Sequence, residues 1–154
     1  MATDADTEFR GTMGCTCMRL RRVTRRVTQI YDELLAPAGI TSSQFALLAR
    51  LRSASLEGQT PLPMWALAEH HGLDPTTLSR NLKPLFSAGL IKDSADPADR
   101  RVRMISLTAA GRRRVTNALP YWREAQRRVE AALGAEATIA LNGLLELSTA
   151  KLGN

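Results

Sequence analysis

The 154-residue sequence predicts a mainly α-helical fold that carries one small β-hairpin. Three observations lead there. Over most of the chain apolar residues recur three and four apart, the period of an amphipathic helix. From Arg101 to Leu107 the period drops to two, with Val102, Met104 and Ser106 on one side and Arg101, Arg103, Ile105 and Leu107 on the other. A turn sequence, Asp96-Pro97-Ala98-Asp99, precedes two adjacent arginines, so "DSADPADRRVRMISLT" (93–108) reads as a hairpin with charge at its tip.

The bulk composition suits one domain, 1–154, long enough to bury a core without disulfide staples. Hydrophobic residues make up 44% and charged residues 23%, ordinary values for a soluble globular protein. The net charge of +6 comes almost entirely from arginine and suggests an anionic partner, with nucleic acid the leading class. Residues 1–14 are polar and mildly acidic (Asp4, Asp6, Glu8) and have no apolar core like that of a secretory signal. No run approaches the ~18 apolar residues of a membrane span, so the expectation is a cytoplasmic protein with no membrane partner. Cys15 and Cys17 lie too close in sequence to frame a secreted disulfide fold. On a helix they would also point to different faces, which disfavours a bond between them.

Residues 15–36 read as one long helix, because Leu20, Val23, Val27, Ile30 and Leu34 line up one apolar seam. Arg19, Arg22 and Arg26 follow the same rhythm on a neighbouring face. "APAG" (36–39) ends the helix, and Thr41 or Ser42 caps a second one that buries Phe45, Leu47, Leu48 and Leu51. A loose stretch, "SASLEGQTPLP", follows. "MWALAEHHGL" (64–73) is a short helix with Trp65, Leu67 and Ala68 inward, stopped at Gly72. Asp74 is an N-cap, Pro75 suits the first helical position, and the next helix turns Leu78, Leu82 and Leu85 inward. Thr76, Thr77, Ser79, Arg80 and Lys83 are left outside. Pro84 should bend its last turn. Beyond the hairpin, Thr108 starts a long helix to about Leu133, with Val115, Leu119, Trp122, Val129 and Leu133 as its seam and Pro120 as a kink. A last helix covers 135–151.

Two short helices joined at a glycine turn, followed at once by a charged hairpin, make a winged helix-turn-helix. Its physical sense is shape. The second helix fits the major groove of double-stranded DNA, and a hairpin arginine fits the narrow, strongly negative minor groove beside it. The expected contacts are Thr76, Thr77, Ser79, Arg80 and Lys83 on the helix, with Asp99, Arg100, Arg101 and Arg103 on the wing.

The order of elements from about Cys15 to Leu152 resembles the MarR family of bacterial winged-helix regulators. "LLAPAGITSSQFALL" (34–48), "LAEHHGLDPTTLSRNLKPLFSAGLI" (67–91) and "DPADRRVRMISLTAAG" (96–111) carry the resemblance, the last most specifically, through its Asp99-x-Arg101 pair and Leu-Thr helix start. The resemblance implies a transcriptional regulator on a pseudo-palindromic operator, dimerised by its first and last helices (15–36 and 108–152) around the winged module (62–107). It implies that Arg101 enters the minor groove and that Asp99 steadies it. The seams of the terminal helices also ask for burial, which suits a homodimer.

The resemblance further implies an effector, often an aromatic acid, held between the dimerisation helices and the winged module. Arg19, Arg22 and Arg26 would meet its carboxylate amid Phe45, Leu48 and Trp65. In one branch of the family a thiol senses organic hydroperoxides. Cys17 falls at that thiol's position and Tyr31 at that of a tyrosine bonding it, while Ser42 replaces the second tyrosine. Arg19, Arg21 and Arg22 would activate such a thiol, and Cys15 could resolve it across a dimer. The plainer reading makes both cysteines apolar filler. His70 and His71 read as structural rather than as metal ligands with the cysteines. No phosphate-binding, dinucleotide or zinc-protease motif occurs, so neither enzyme chemistry nor a cofactor is expected. A winged helix that binds only protein is the remaining alternative, and the exposed Arg80, Lys83 and Arg101 argue against it.

Overall fold

The computed structural model of the chain describes residues 14–153. The acidic stretch expected around Asp4, Asp6 and Glu8 lies outside the described residues. The elements follow the order α1 (Thr16–Leu35), α2 (Ser42–Leu56), β1 (Leu62–Pro63), α3 (Met64–His71), α4 (Pro75–Ser87), β2 (Ile91–Ala95), β3 (Arg103–Leu107), α5 (Ala109–Leu133) and α6 (Ala135–Leu152). Each expected helix is present. The three strands form one antiparallel sheet in the order β1-β3-β2. The fold is mainly helical with a small wing. Strand β1 was not anticipated. Two residues are too short to show a period, yet Leu62 and Pro63 pair with Ile105 and Met104 and give the hairpin a third strand. None of the described helices is long and apolar enough to cross a membrane.

Contacts divide the chain into two units, and both α1 and α5 cross the boundary between them. One unit is Leu34–Arg123. It begins where α1 runs into a short 3-10 turn over Ala36–Ala38, which Gly39 closes in a left-handed conformation. Arg114 of α5 donates to the carbonyl of Ala38 at 3.0 Å and pins that turn. Helix α2 starts with a capping box: the Gln44 amide donates to Thr41 Oγ1, and the Thr41 amide donates to the Gln44 side chain. The sealed core contains Leu35, Leu47, Leu48, Leu51, Leu67, Leu78, Leu82, Leu85 and Ile105. Each such side chain contributes about 1.5–3 kcal/mol through burial. Together they hold α2 and α3 against β3 and α4 against β2, α2 and α3. Phe45 stacks on Trp122 at 6.1 Å.

The wing meets α5 at a tight joint. Thr108 Oγ1 donates to the Gly89 carbonyl at 2.7 Å and accepts the Gly111 amide at 3.0 Å, while the Thr108 amide donates to the Leu90 carbonyl. A Cβ on Gly111 would lie 2.0 Å from the Leu90 oxygen, so only glycine allows this approach. The expected "Leu-Thr helix start" is therefore also a fastener. Along α5 the sealed positions are Val115, Ala118 and Ala125. The expected seam overlooked these alanines, and its member Leu133 is exposed. Both α4 and α5 remain helical through Pro84 and Pro120.

The second unit contains the described residues up to Glu33 and those from Glu124 onward. Within it Tyr31 donates to Gln126, and Gln126 donates to Glu130 at 2.8 Å. Burial, and then the Glu130 charge, raise the Tyr31 phenol above its ordinary range. Large apolar side chains stay uncovered in this unit: Met18, Leu20 and Val23 on α1, and Ile139, Leu144, Leu145 and Leu147 on α6.

Candidate nucleic-acid interface

The start of α4 is built by its neighbours in sequence. Gly72 ends α3 at φ 59, a left-handed conformation, and turns the chain within three residues. Asp74 then caps α4: one carboxylate oxygen accepts the amides of Thr76 (2.9 Å) and Thr77 (3.0 Å), and the other accepts the Thr77 hydroxyl at 2.6 Å. The Thr77 hydroxyl, followed by these amides, holds the Asp74 carboxyl below its ordinary range. Since Leu78, Leu82 and Leu85 are buried, Thr76, Ser79, Arg80 and Lys83 stand exposed on the outer face. Thr77 is half-buried and committed to Asp74, so of the expected helix contacts it alone has its hydroxyl engaged.

The wing tip is shaped by two aspartates. Asp96 accepts the amides of Ala98 (2.7 Å) and Asp99 (3.3 Å), and its own amide donates to the Val102 carbonyl. Asp99 accepts the Arg101 amide at 3.0 Å. The contact is to the backbone of Arg101, so Asp99 orders the turn rather than gripping the guanidinium. Arg100 and Arg101 are both exposed, and among the described residues neither makes an ion pair. Arg103 differs. Its guanidinium donates twice to one Asp93 oxygen, at 3.1 and 2.8 Å, and lies 5.5 Å from the centre of the Phe86 ring. Asp93 and Arg103 are diagonal across the β2–β3 ladder. Arg103 thus ties the wing to α4.

Two residues at this surface escaped the sequence reading. Asp93 lies on an exposed strand where charge is commonplace, and nothing local marks it as the partner of Arg103. Trp65 was expected inside but is 62% exposed. It occupies the second position of α3, where the helix period leaves the choice of face open. It borders a cavity of about 310 Å³ that it shares with Met64, Ala68, Pro75, Leu78 and wing residues 101–103.

The expected effector residues do not line a common cavity. Arg19, Arg22 and Arg26 are exposed on α1, where they share an open concavity with Met18, Arg21 and Arg25. Leu48 has no exposure and Phe45 is buried, so both are core residues, and Trp65 faces the cavity beside the wing. Cys15 and Cys17 are free and exposed. Cys15 precedes the first helical residue and its carbonyl accepts the Arg19 amide, so the two cysteines do not stand on opposite faces of one helix as expected. Tyr31 lies fourteen residues further along α1, roughly 21 Å away by helical rise, and its hydroxyl is engaged with Gln126. A bond from Tyr31 to Cys17 of the same chain is excluded. His70 and His71 meet edge to face at 5.0 Å, and no group of three metal-binding side chains occurs among the described residues.

A helix-turn-helix with an exposed polar recognition face, beside a sheet with a basic tip, defines a winged-helix DNA-binding protein. The MarR family model matches residues 40–102, the stretch from the start of α2 through the wing tip. The M. tuberculosis transcriptional regulator MosR, solved in complex with DNA, is 36% identical, with a TM-score of 0.73 over 88% of this chain and 97% of that one. A probable transcriptional regulator from Pseudomonas aeruginosa is 30% identical, with a TM-score of 0.73 over 86% of this chain and 96% of that one. A mutant MarR from E. coli complexed with operator DNA shares the fold at 23% identity and a TM-score of 0.73, over 82% of this chain and 88% of that one. A search of curated proteins returns no match. The chain belongs to the MarR family of DNA-binding transcriptional regulators, and it is not an enzyme.

Proposed function

We propose that this regulator is a cytoplasmic homodimer that represses from a pseudo-palindromic operator and is released by a small aromatic or carboxylate effector. The observation that carries the operator reading is the outer face of α4. Thr76, Ser79, Arg80 and Lys83 are left free there by the leucine stripe beneath, in the same unit as the exposed Arg100 and Arg101. Helix α4 enters the major groove and Arg101 the adjacent minor groove. The flanking helices, 15–36 and 108–152, serve dimerisation, and 62–107 serves DNA. The bare apolar faces of α1 and α6 support that division, since monomers rarely leave such faces in water. The MosR–DNA complex supports the partner.

The test uses a duplex selected by the wild-type protein from a random-sequence pool. Arg80→Ala should cost about 1–3 kcal/mol of affinity and relax preference at one base pair per half-site. Selected sequences should carry an inverted repeat, with half-site centres about one helical turn apart. A pool that converges on no repeat rejects the reading.

For release, the arginine-lined concavity on α1 supports an anionic effector held by Arg19, Arg22 or Arg26. A second reading, oxidation of Cys17, is supported by the exposure of that thiol in the first turn of α1. Cys17→Ser separates them. A pocket sensor still releases DNA when given benzoate or salicylate, whereas a thiol sensor loses its response to cumene hydroperoxide.

A further inference from the structure

We infer that the cavity beneath Trp65 seats the sugar–phosphate backbone of the bound DNA strand, with the indole packed against a deoxyribose. This rests on the operator reading above. The major and minor grooves of a duplex are separated by a sugar–phosphate strand. A protein that places α4 in one groove and Arg101 in the next must therefore pass that strand between them. The cavity is where it passes. Pro75 and Leu78 bound it on the α4 side, Arg101 and Val102 on the wing side, and Met64 and Trp65 on the α3 side.

Its chemistry matches a sugar and a phosphate in turn. The lining is mainly apolar, and the indole of Trp65 gives it a broad face that is 62% exposed. Left this far in water beside an apolar cavity, the indole offers a broad face for a partner to cover. Arg101 supplies positive charge and makes no ion pair among the described residues, while Arg103 is held by Asp93. A deoxyribose presents apolar carbons to the indole, and the Arg101 guanidinium passes its phosphate on the way into the minor groove. Such contacts set the register of a protein on DNA without reading sequence.

The experiment compares wild type, Trp65→Phe, Trp65→Ala, Arg80→Ala and Arg101→Ala, each binding the in vitro selected duplex, with tryptophan fluorescence as a second signal. The chain has two tryptophans, and Trp122 is stacked on Phe45, so the change lost in Trp65→Phe reports Trp65. Trp65→Ala should weaken binding roughly tenfold, the order expected on losing one aromatic anchor. Trp65→Phe should recover part of that loss. The slope of log affinity against log salt should stay unchanged in both, because the indole neutralises no phosphate, while Arg101→Ala should reduce it by about one. Duplex addition should quench Trp65. If Trp65→Ala binds like wild type while Arg80→Ala and Arg101→Ala lose affinity, the operator reading stands and this inference is overturned. If none of the variants loses affinity, the operator reading itself fails. If benzoate quenches Trp65 in the absence of DNA and the duplex does not, the cavity is a small-molecule site, and the inference is again overturned.

Discussion

Asp99 and Arg101 divide one task between them. The aspartate accepts the arginine's backbone amide, and the arginine's side chain is left free. Asparagine can accept the same amide, so Asp99→Asn should bind DNA within about twofold of wild type, while Asp99→Ala loosens the turn and binds more weakly. Arg101→Ala should weaken binding most of the three, with no change in melting temperature, because an exposed turn residue contributes little to folding. Anisotropy titrations beside thermal melts check both. His71 offers a different single-residue test. Burial, and then the neighbouring His70 and Arg50, push its pKa below the ordinary value, and its Nε2 is buried without a hydrogen-bond partner among the described residues. The folded state therefore binds fewer protons than the unfolded chain. Stability is full above about pH 6.5 and falls as the pH drops through that value toward the lower folded pKa. Melting temperatures at pH 7.5 and 5.5 should differ less in His71→Gln than in wild type. At this scale the sequence showed which residues are polar and exposed, since the leucine stripe of α4 dictates that. It could not show which of the wing's three arginines a distant carboxylate would hold, because the Asp93–Arg103 pair is set by strand register.

Among the elements, the helices were legible because most carry several turns of apolar period and all are bounded by a punctuating residue, as at Asp74-Pro75 and Gly72. Strand β1 was not, because its identity comes entirely from its partner β3. Trp65 was misplaced for a related reason: eight residues of α3 give two turns, too few to fix a face when both sides carry apolar groups. Two glycines test the elements in different ways. A Cβ at Gly72 would meet nothing within 4 Å, so Gly72→Ala costs the left-handed conformation alone, about 1 kcal/mol. At Gly111 the new Cβ would collide with the Leu90 carbonyl, and the backbone must move. Gly111→Ala should therefore destabilise more, about 1–3 kcal/mol, and denaturant melts should rank the two in that order.

For the whole molecule, the uncovered side chains of α1 and α6 are the surface on which the proposed dimer would form. Ile139 is 73% exposed and Leu144 61%, on a helix whose remaining surface carries little charge to keep it apart from a second copy. Sedimentation should find a dimer at micromolar concentration. Leu144→Glu should shift it toward monomer and weaken binding to the selected duplex by at least tenfold, since two linked half-sites hold more tightly than one.

The joint at Gly111 has a mechanical corollary. Helix and strand approach there so closely that no side chain separates them, and Thr108 bolts the contact from both sides. Such a joint has no slack. A small rotation of α5 would find no side chain between the two to repack, so it should be passed to β2 and along the hairpin toward Arg101.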